Sequence, residues 1–149
     1  MSSHSHNKIW IHLIWETLDH QNILDKEARI KVSEFLFNYS KEKTVFMKIN
    51  FVNSDHVHAL IDLPTNLSVE ECIKLFKGAS SHFINQNRLT QNKFHWGRGY
   101  GAFSVSESQI LNVVNYIKKQ GEHHKGKSFS EEYQLFLEKY NITVNGYNR

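Results

Sequence analysis

The chain has 149 residues, of which 40% are hydrophobic, 13% aromatic and 22% charged, with a single proline. This composition excludes a disordered, collagen-like or low-complexity chain and is enough for one domain with a substantial core. No apolar run approaches the roughly 20 residues of a membrane-spanning helix, and the polar N-terminus does not resemble a secretory signal. The single cysteine, Cys72, excludes an internal disulfide and a thiolate zinc finger, which favours a reducing cytoplasm.

Charge is distributed unevenly along the chain. Residues 1–73 hold 7 Lys and Arg against 10 Asp and Glu, whereas residues 74–149 hold 11 against 5, within a net charge of +3. A basic C-terminal half favours an anionic partner, with nucleic acid as the first candidate. The alternative is ordinary solvation, because an imbalance of this size also occurs in proteins without such a partner.

The apolar pattern predicts four strands and four helices in the order β-α-β-β-α-β-α-α. The strands are predicted over residues 8–18, 44–52, 56–63 and 100–105, and the helices over residues 25–43, 68–87, 106–120 and 128–140. Helix starts are marked by Asp25 and by capping boxes that begin at Ser68, Ser106 and Ser128. In the first helix we expect five apolar residues at roughly helical spacing to face the core, namely Ile30, Val32, Phe35, Leu36 and Tyr39.

This order of elements predicts an α+β fold of the ferredoxin-like, split β-α-β type. Such a fold has an antiparallel sheet with helices on one face. The C-terminal helices, one of which would carry Tyr116, must then pack elsewhere. Because this plan hosts unrelated functions, function has to be argued from particular side chains.

His56 and His58 lie two residues apart in the third predicted strand. Both imidazoles should point to one face while Val57 and Ala59 point to the other. Two neutral imidazoles on a rigid element suit a divalent transition metal and leave coordination positions open for substrate. The structural alternative is that one histidine faces solvent and the other satisfies a core hydrogen bond, since a chance His-x-His is common among ten histidines.

Tyr116 and Gln120 are four residues apart in the helix predicted over 106–120, so they share one helical face. The carbonyl of Gln120 could complete a metal site, and the phenol of Tyr116 could act as a nucleophile beside it. Periodicity alone favours another interpretation, in which Tyr116 is a packed aromatic residue and Gln120 lies on the surface.

Several further segments extend these two motifs. They are His12 to Trp15 in the opening strand, the Lys-Leu-Phe-Lys-Gly-Ala-Ser-Ser run over residues 74–81, and the glycine-rich segment over residues 96–105. Together, and in this order, the motifs resemble those of the single-tyrosine HUH transposases, the IS200-like family of the smallest bacterial insertion sequences. The resemblance covers roughly residues 8–125 and implies one transposase domain over residues 1–149, with the helix over 128–140 beyond its core.

The resemblance implies that His56, His58 and Gln120 bind Mg²⁺ or Mn²⁺ and that Tyr116 attacks a DNA phosphorus. The products would be a 5′-phosphotyrosine and a free 3′-hydroxyl, which can be rejoined without ATP because the linkage keeps the phosphodiester energy. A phenol has an ordinary pKa of about 10, so the metal, aided by Lys118 or Lys119, would have to favour the phenolate.

The resemblance also implies single-stranded DNA with hairpins as the partner, bound by stacking and by backbone contacts. The candidate stacking residues are Trp96 and Tyr100, and the candidate basic residues are Lys74, Lys77, Arg98, Lys118 and Lys119. Insertion-sequence enzymes of this type are homodimers in which the tyrosine helix acts in trans, whereas relatives recruited by their host can be monomeric.

Two other functions stay open from the sequence. One is a non-catalytic or host-recruited hairpin-binding protein on the same scaffold, which would bind DNA in a salt-dependent way without cleaving it. The other is a metal hydrolase of small molecules that uses the histidine pair. The lack of an acidic cluster near these histidines in the sequence disfavours the hydrolase.

Overall fold

A computed structural model describes residues 5–120 and, beyond them, residues 131, 134, 135, 138 and 139. The strands are β1 (Trp10–Glu16), β2 (Phe46–Val52), β3 (His56–Asp62) and β4 (Gly101–Ser104), and the helices are α1 (Lys26–Glu42), α2 (Val69–Gln86) and α3 (Ile110–Lys118). The predicted order is therefore confirmed through the third helix, with narrower bounds. The helix predicted over 128–140 lies largely outside the described residues, and the single domain over 1–149 stays a prediction.

All four strands form one antiparallel sheet in the order β2-β3-β1-β4. A three-residue turn over residues 53–55 joins β2 to β3 as an antiparallel hairpin. The register of this pair shifts between Met47 and Ile49, as at a β-bulge. With both β-α-β crossovers placing α1 and α2 against the sheet, the α+β fold of the split β-α-β type is confirmed.

The two faces of the sheet are covered by different helices. Alternate residues of β1, Ile11, Leu13 and Trp15, join the larger apolar cluster with α1 and α2. The opposite face of β1 and β3 joins a smaller cluster with α3, made by Trp10, Leu60, Val105, Ile110, Val113 and Ile117. The two central strands are consequently buried on both faces, and the added helix packs on the face that α1 and α2 leave open.

Two of the predicted helix starts are confirmed by capping contacts. The carboxylate of Asp25 accepts a hydrogen bond from the Ala28 backbone at 2.8 Å. At α2, Ser68 and Glu71 each accept a hydrogen bond from the other's backbone N–H, at 3.0 and 2.8 Å. These contacts satisfy backbone donors that a helix leaves unpaired at its N-terminus.

Two details of the prediction are wrong. Ser106 does not cap a helix; its Oγ lies 3.2 Å from Ser108 Oγ, and one turn of 3-10 helix precedes α3. Ile30 is 52% exposed, because α1 packs through a stripe at i, i+4 spacing formed by Ala28, Val32, Leu36 and Ser40. Among the described residues, no helix is both long enough and apolar enough to cross a membrane.

Candidate active site

Two histidines of β3 lie on the face of the sheet that α3 covers. His56 and His58 are 0% and 2% exposed, and their ring centroids are 5.0 Å apart. Val57 and Ala59, which alternate with them, belong to the cluster on the opposite face. The interpretation in which one histidine faces solvent is therefore wrong, and β3 presents two adjacent imidazoles.

The turn before β3 orients the first of these rings. His56 Nδ1 lies 2.7 Å from a carboxylate oxygen of Asp55, so Nδ1 carries the hydrogen and donates it. The side-chain nitrogen of Asn53, Nδ2, lies 3.3 Å from His56 Nε2. A carboxylate paired with Nδ1 leaves Nε2 as the nitrogen with a lone pair, as in many metal-binding histidines.

A third histidine, which the sequence analysis named only within the His12 to Trp15 segment and without a role, lies beside this pair. His12 of β1 is fully buried, and its Nε2 lies 3.0 Å from Nδ1 of His58. The two residues are 46 positions apart and meet only because β1 pairs with β3. In the sequence, His12 belonged to the His12 to Trp15 segment that carries the resemblance, and no role was assigned to it there.

Tyr116 approaches these rings from α3. Its ring is partly buried and lies edge-on to the rings of His58 and His12, at centroid distances of 5.8 and 6.4 Å. The smaller apolar cluster fixes α3 on the sheet and so sets this distance. The ammonium of Lys139, a second residue absent from the sequence prediction, lies 5.5 Å from the centroid of the Tyr116 ring.

Gln120 lies one turn beyond Tyr116. It is fully buried, so the interpretation of Gln120 as a surface residue is wrong. Its side-chain nitrogen donates to the backbone oxygen of Tyr116 at 3.3 Å. With the nitrogen held in this way, the carbonyl oxygen is the part of this side chain that has the chemistry of a metal ligand.

The histidine pair would need further ligands to hold a divalent ion, and an amide oxygen is one candidate. Within residues 5–120 and the five further described positions, no three His, Cys, Asp or Glu side chains form a group able to hold a metal. The remaining coordination positions of an ion on His56 and His58 would be open to water, substrate oxygens and, as the resemblance implies, the carbonyl of Gln120. Two imidazole nitrogens and one oxygen can hold a divalent transition ion such as Mn²⁺, whereas Mg²⁺ would depend mainly on oxygen ligands from water and substrate.

Of the basic residues predicted to contact DNA, four are exposed and one is hydrogen-bonded to the backbone of a neighbouring loop. Lys74, Arg98, Lys118 and Lys119 are exposed. Lys77 is partly buried and donates to the backbone oxygens of Gly97 at 2.8 Å and Gly99 at 3.0 Å, and burial lowers its pKa.

The two predicted stacking residues also differ. Trp96 is 9% exposed, packs edge-on against Trp15 at 5.9 Å and donates to Ser80 Oγ at 2.9 Å, so it belongs to the core. Tyr100 is 43% exposed. Of the two, only Tyr100 has a face open to a nucleobase.

Comparison with known proteins decides which family this site represents. The model of the family described as "Transposase IS200 like" matches residues 5–120, which include all three histidines, Tyr116 and Gln120. The chain belongs to the IS200-like transposase family. Membership places this family member among the enzymes of DNA transposition and recombination.

Two curated relatives show how far the similarity extends. The chain is 25% identical over 114 residues to the ISDra2 transposase TnpA of Deinococcus radiodurans, covering 73% of this chain and 81% of the relative. It is 31% identical over 86 residues to the transposase for insertion sequence element IS200 of Salmonella typhimurium, covering 54% of this chain and 56% of the relative.

Two solved structures share the fold. A candidate transposase from Deinococcus radiodurans R1 matches with a TM-score of 0.65 and 23% identity, over 80% of this chain and 96% of that chain. A REP-associated tyrosine transposase bound to a REP hairpin matches with a TM-score of 0.58 and 12% identity, over 83% of this chain and 74% of that chain. At these identities the likeness establishes the architecture alone.

Proposed function

We propose that this family member cleaves and rejoins single-stranded DNA at hairpin-marked ends through a covalent bond to Tyr116. The observation that carries the proposal is the placement of the Tyr116 ring 5.8 Å from the ring of His58, with Gln120 one helical turn away and buried. The phenol of α3 and the paired imidazoles of β3 support this proposal, and the amide of Gln120 follows just past the C-terminal end of α3.

Tyr116 is the group with the chemistry of the nucleophile. Its oxygen would attack the scissile phosphorus, and the 3′-oxygen of the preceding nucleotide would leave with a proton. One phosphodiester bond is exchanged for a phosphotyrosine bond, so the reverse attack by a 3′-hydroxyl rejoins DNA without an external energy source. The ammonium of Lys139, 5.5 Å from the centroid of the phenol ring, is a positive charge close to this group.

His56, His58 and Gln120 are the residues that would hold Mg²⁺ or Mn²⁺. When bound there, such an ion polarises the scissile phosphate and stabilises charge in the transition state, commonly by several kcal/mol. The chain's own contribution is to orient the ligands. The Asp55 carboxylate accepts a hydrogen bond from His56 and so orients its ring. The backbone oxygen of Tyr116 accepts a hydrogen bond from the side-chain amide of Gln120.

The DNA partner is proposed from the charge and from the hairpin that the REP-associated neighbour holds. Exposed Lys74, Arg98, Lys118 and Lys119 would contact phosphates, and Tyr100 would stack on an unpaired base. Lys77 acts on the same surface by holding the loop that carries Arg98.

A covalent-trapping experiment tests the proposal. Purified protein is incubated with Mn²⁺ and a hairpin-bearing single strand whose 5′ and 3′ ends carry different labels, and products are separated under denaturing conditions. We expect a protein adduct with the 3′-labelled fragment, and its yield should fall about a thousandfold or more in Tyr116→Phe. Tyr39→Phe, which alters a tyrosine of α1 on the opposite side of the sheet, is the matched control and should keep the adduct.

Two results would contradict the proposal. An adduct that persists in Tyr116→Phe would assign the nucleophile to another residue. Salt-dependent hairpin binding with no adduct under either divalent ion would instead support the non-catalytic DNA-binding function.

A further inference from the structure

We propose that His12 is a positioning residue that fixes the ring hydrogen of His58 on Nδ1, so that His58 presents Nε2 to a divalent ion. This inference rests on the proposed function, because it concerns the metal ligands of that site. It assigns a role to a buried histidine on a strand that contributes no other group to the chemistry.

The sheet register brings the two rings together. His12 pairs with Leu60 and His58 pairs with Ile14, so the histidines are diagonal neighbours on the same face of β1 and β3. Their ring centroids are 5.1 Å apart at an angle of 41°, and the Nε2 of His12 lies 3.0 Å from the Nδ1 of His58. Both side chains are buried, at 0% and 2% exposure, so water does not compete strongly for this contact.

Only one hydrogen can lie between these two nitrogens. If His58 donates it, His58 is protonated on Nδ1 and its Nε2 has a lone pair for a metal. If His12 donates it, neutral His58 is protonated on Nε2 and cannot bind a metal through that atom. The direction of this single hydrogen bond therefore decides whether His58 is a ligand.

The contact also excludes His12 as a further ligand of the same ion. Nδ1 and Nε2 lie on different edges of the imidazole ring, so an ion on Nε2 of His58 sits away from the edge that His12 contacts. A nitrogen within 3.0 Å of Nδ1 is then well outside coordination distance. His12 therefore orients the ligand His58 and does not itself coordinate the ion.

His56 shows the same arrangement with a different partner. Asp55 accepts from its Nδ1 at 2.7 Å and can only accept, because an ionised carboxylate has no hydrogen to donate. Both proposed imidazole ligands therefore have Nδ1 engaged, one by a carboxylate of the turn and one by an imidazole of β1. Such outer contacts commonly change metal affinity by about 10- to 100-fold when they are removed.

Metal binding is measured directly on the full chain by titration calorimetry with Mn²⁺. His12→Phe keeps a ring but removes the acceptor, and we expect the Kd for Mn²⁺ to rise by about 10- to 100-fold. His12→Gln restores an acceptor at a similar reach and should stay within about threefold of the wild type. Ile14→Val, a buried change on the same strand and face, controls for general loosening of β1.

The outcomes separate this inference from the proposed function. Equal Mn²⁺ affinity in wild type and His12→Phe, or an equal loss in His12→Gln and His12→Phe, would overturn the role of His12 while the adduct of Tyr116 still formed. A wild-type chain that binds neither Mn²⁺ nor Mg²⁺ and forms no adduct would overturn the proposed function as well.

A spectroscopic measurement on the unmodified chain covers the case in which the variants fail to fold. Long-range ¹H–¹⁵N correlation of the histidine rings, without metal and with diamagnetic Mg²⁺, distinguishes the two neutral tautomers. We expect the hydrogen of His58 on Nδ1 in both samples. A hydrogen on Nε2 of His58 in the Mg²⁺-loaded sample would contradict the proposal.

Discussion

At the scale of single residues, Lys77 is a charged side chain that stabilises a loop of the fold. Its ammonium donates to two backbone oxygens of the loop that carries Arg98, and burial lowers its pKa. Lys74, one turn earlier in α2, is exposed, and its ammonium lies 3.8 Å from a carboxylate oxygen of Glu70. The two lysines were predicted together as DNA contacts, and the structure gives them different surroundings.

We therefore expect Lys77→Met to lower the free energy of unfolding by about 1 to 2 kcal/mol, because two carbonyls lose a charged donor. Lys74→Met should change it by less than about 0.5 kcal/mol, as for most surface ion pairs. Urea unfolding followed by circular dichroism measures both values. Equal stability of the two variants would show that the loop does not depend on Lys77.

The buried thiol gives a second test at this scale. Cys72 is 1% exposed, and burial raises its pKa to about 11 from an ordinary 9.0. The unfolded chain loses this proton at a lower pH than the folded chain, so the stabilising contribution is complete below pH 9 and is lost as the pH rises through about 11.

At pH 8 we accordingly expect Cys72 to react slowly with Ellman's reagent in the native protein and rapidly after unfolding in guanidinium. The absorbance of the released thiolate measures both rates, with Cys72→Ala as the blank. Native and unfolded rates that agree within a factor of two would contradict the burial of this side chain.

Which site residues the sequence could predict depends on the range of their contacts. Period-two alternation placed His56 and His58 on one face of a strand, and four-residue spacing placed Tyr116 and Gln120 on one face of a helix, but their roles came from the family resemblance. His12 could not be found in this way, because its partner is 46 residues away and the pairing depends on the register of β1 against β3.

At the scale of elements, similar serine motifs have different outcomes. Ser68 and Glu71 form a reciprocal capping box at α2, whereas Ser106 precedes a 3-10 turn and makes no capping hydrogen bond. The motif was read from residue types alone, but capping also needs the backbone geometry of an α-helical first turn. That geometry is absent at residues 107–109.

Ser68→Ala should therefore lower the free energy of unfolding by about 1 kcal/mol, the usual effect of losing a helix cap. Ser106→Ala is the matched control and should lower it by less than about 0.5 kcal/mol. Thermal unfolding by calorimetry measures both. A larger loss in Ser106→Ala than in Ser68→Ala would contradict the assignment of these two helix starts.

At the scale of the whole molecule, the question is which subunit supplies the tyrosine. In the single chain, Tyr116 lies against its own His58 and His12. The homodimer with α3 acting in trans stays a prediction from the family resemblance. The two arrangements differ in which combinations of damaged subunits can react.

Co-expression of Tyr116→Phe and His56→Ala chains with different tags gives a mixed dimer that tests this prediction. If the tyrosine acts in trans, the mixed dimer should regain up to about half of the wild-type adduct, because one composite site pairs an intact tyrosine with an intact histidine pair. The adduct should form on the His56→Ala chain. No adduct in a mixed dimer confirmed by light scattering would show that the tyrosine acts in cis.

The two faces of the sheet carry residues with different roles. Its α1 and α2 side holds the larger apolar cluster, while Tyr116, His12 and His58 all lie on the side of the smaller one. The larger cluster thus lies on the opposite face from the residues proposed for cleavage, whereas one proposed phosphate contact, Lys74, is on α2. Substitutions of the site residues on the α3 side would then abolish cleavage while the larger apolar cluster still stabilises the fold.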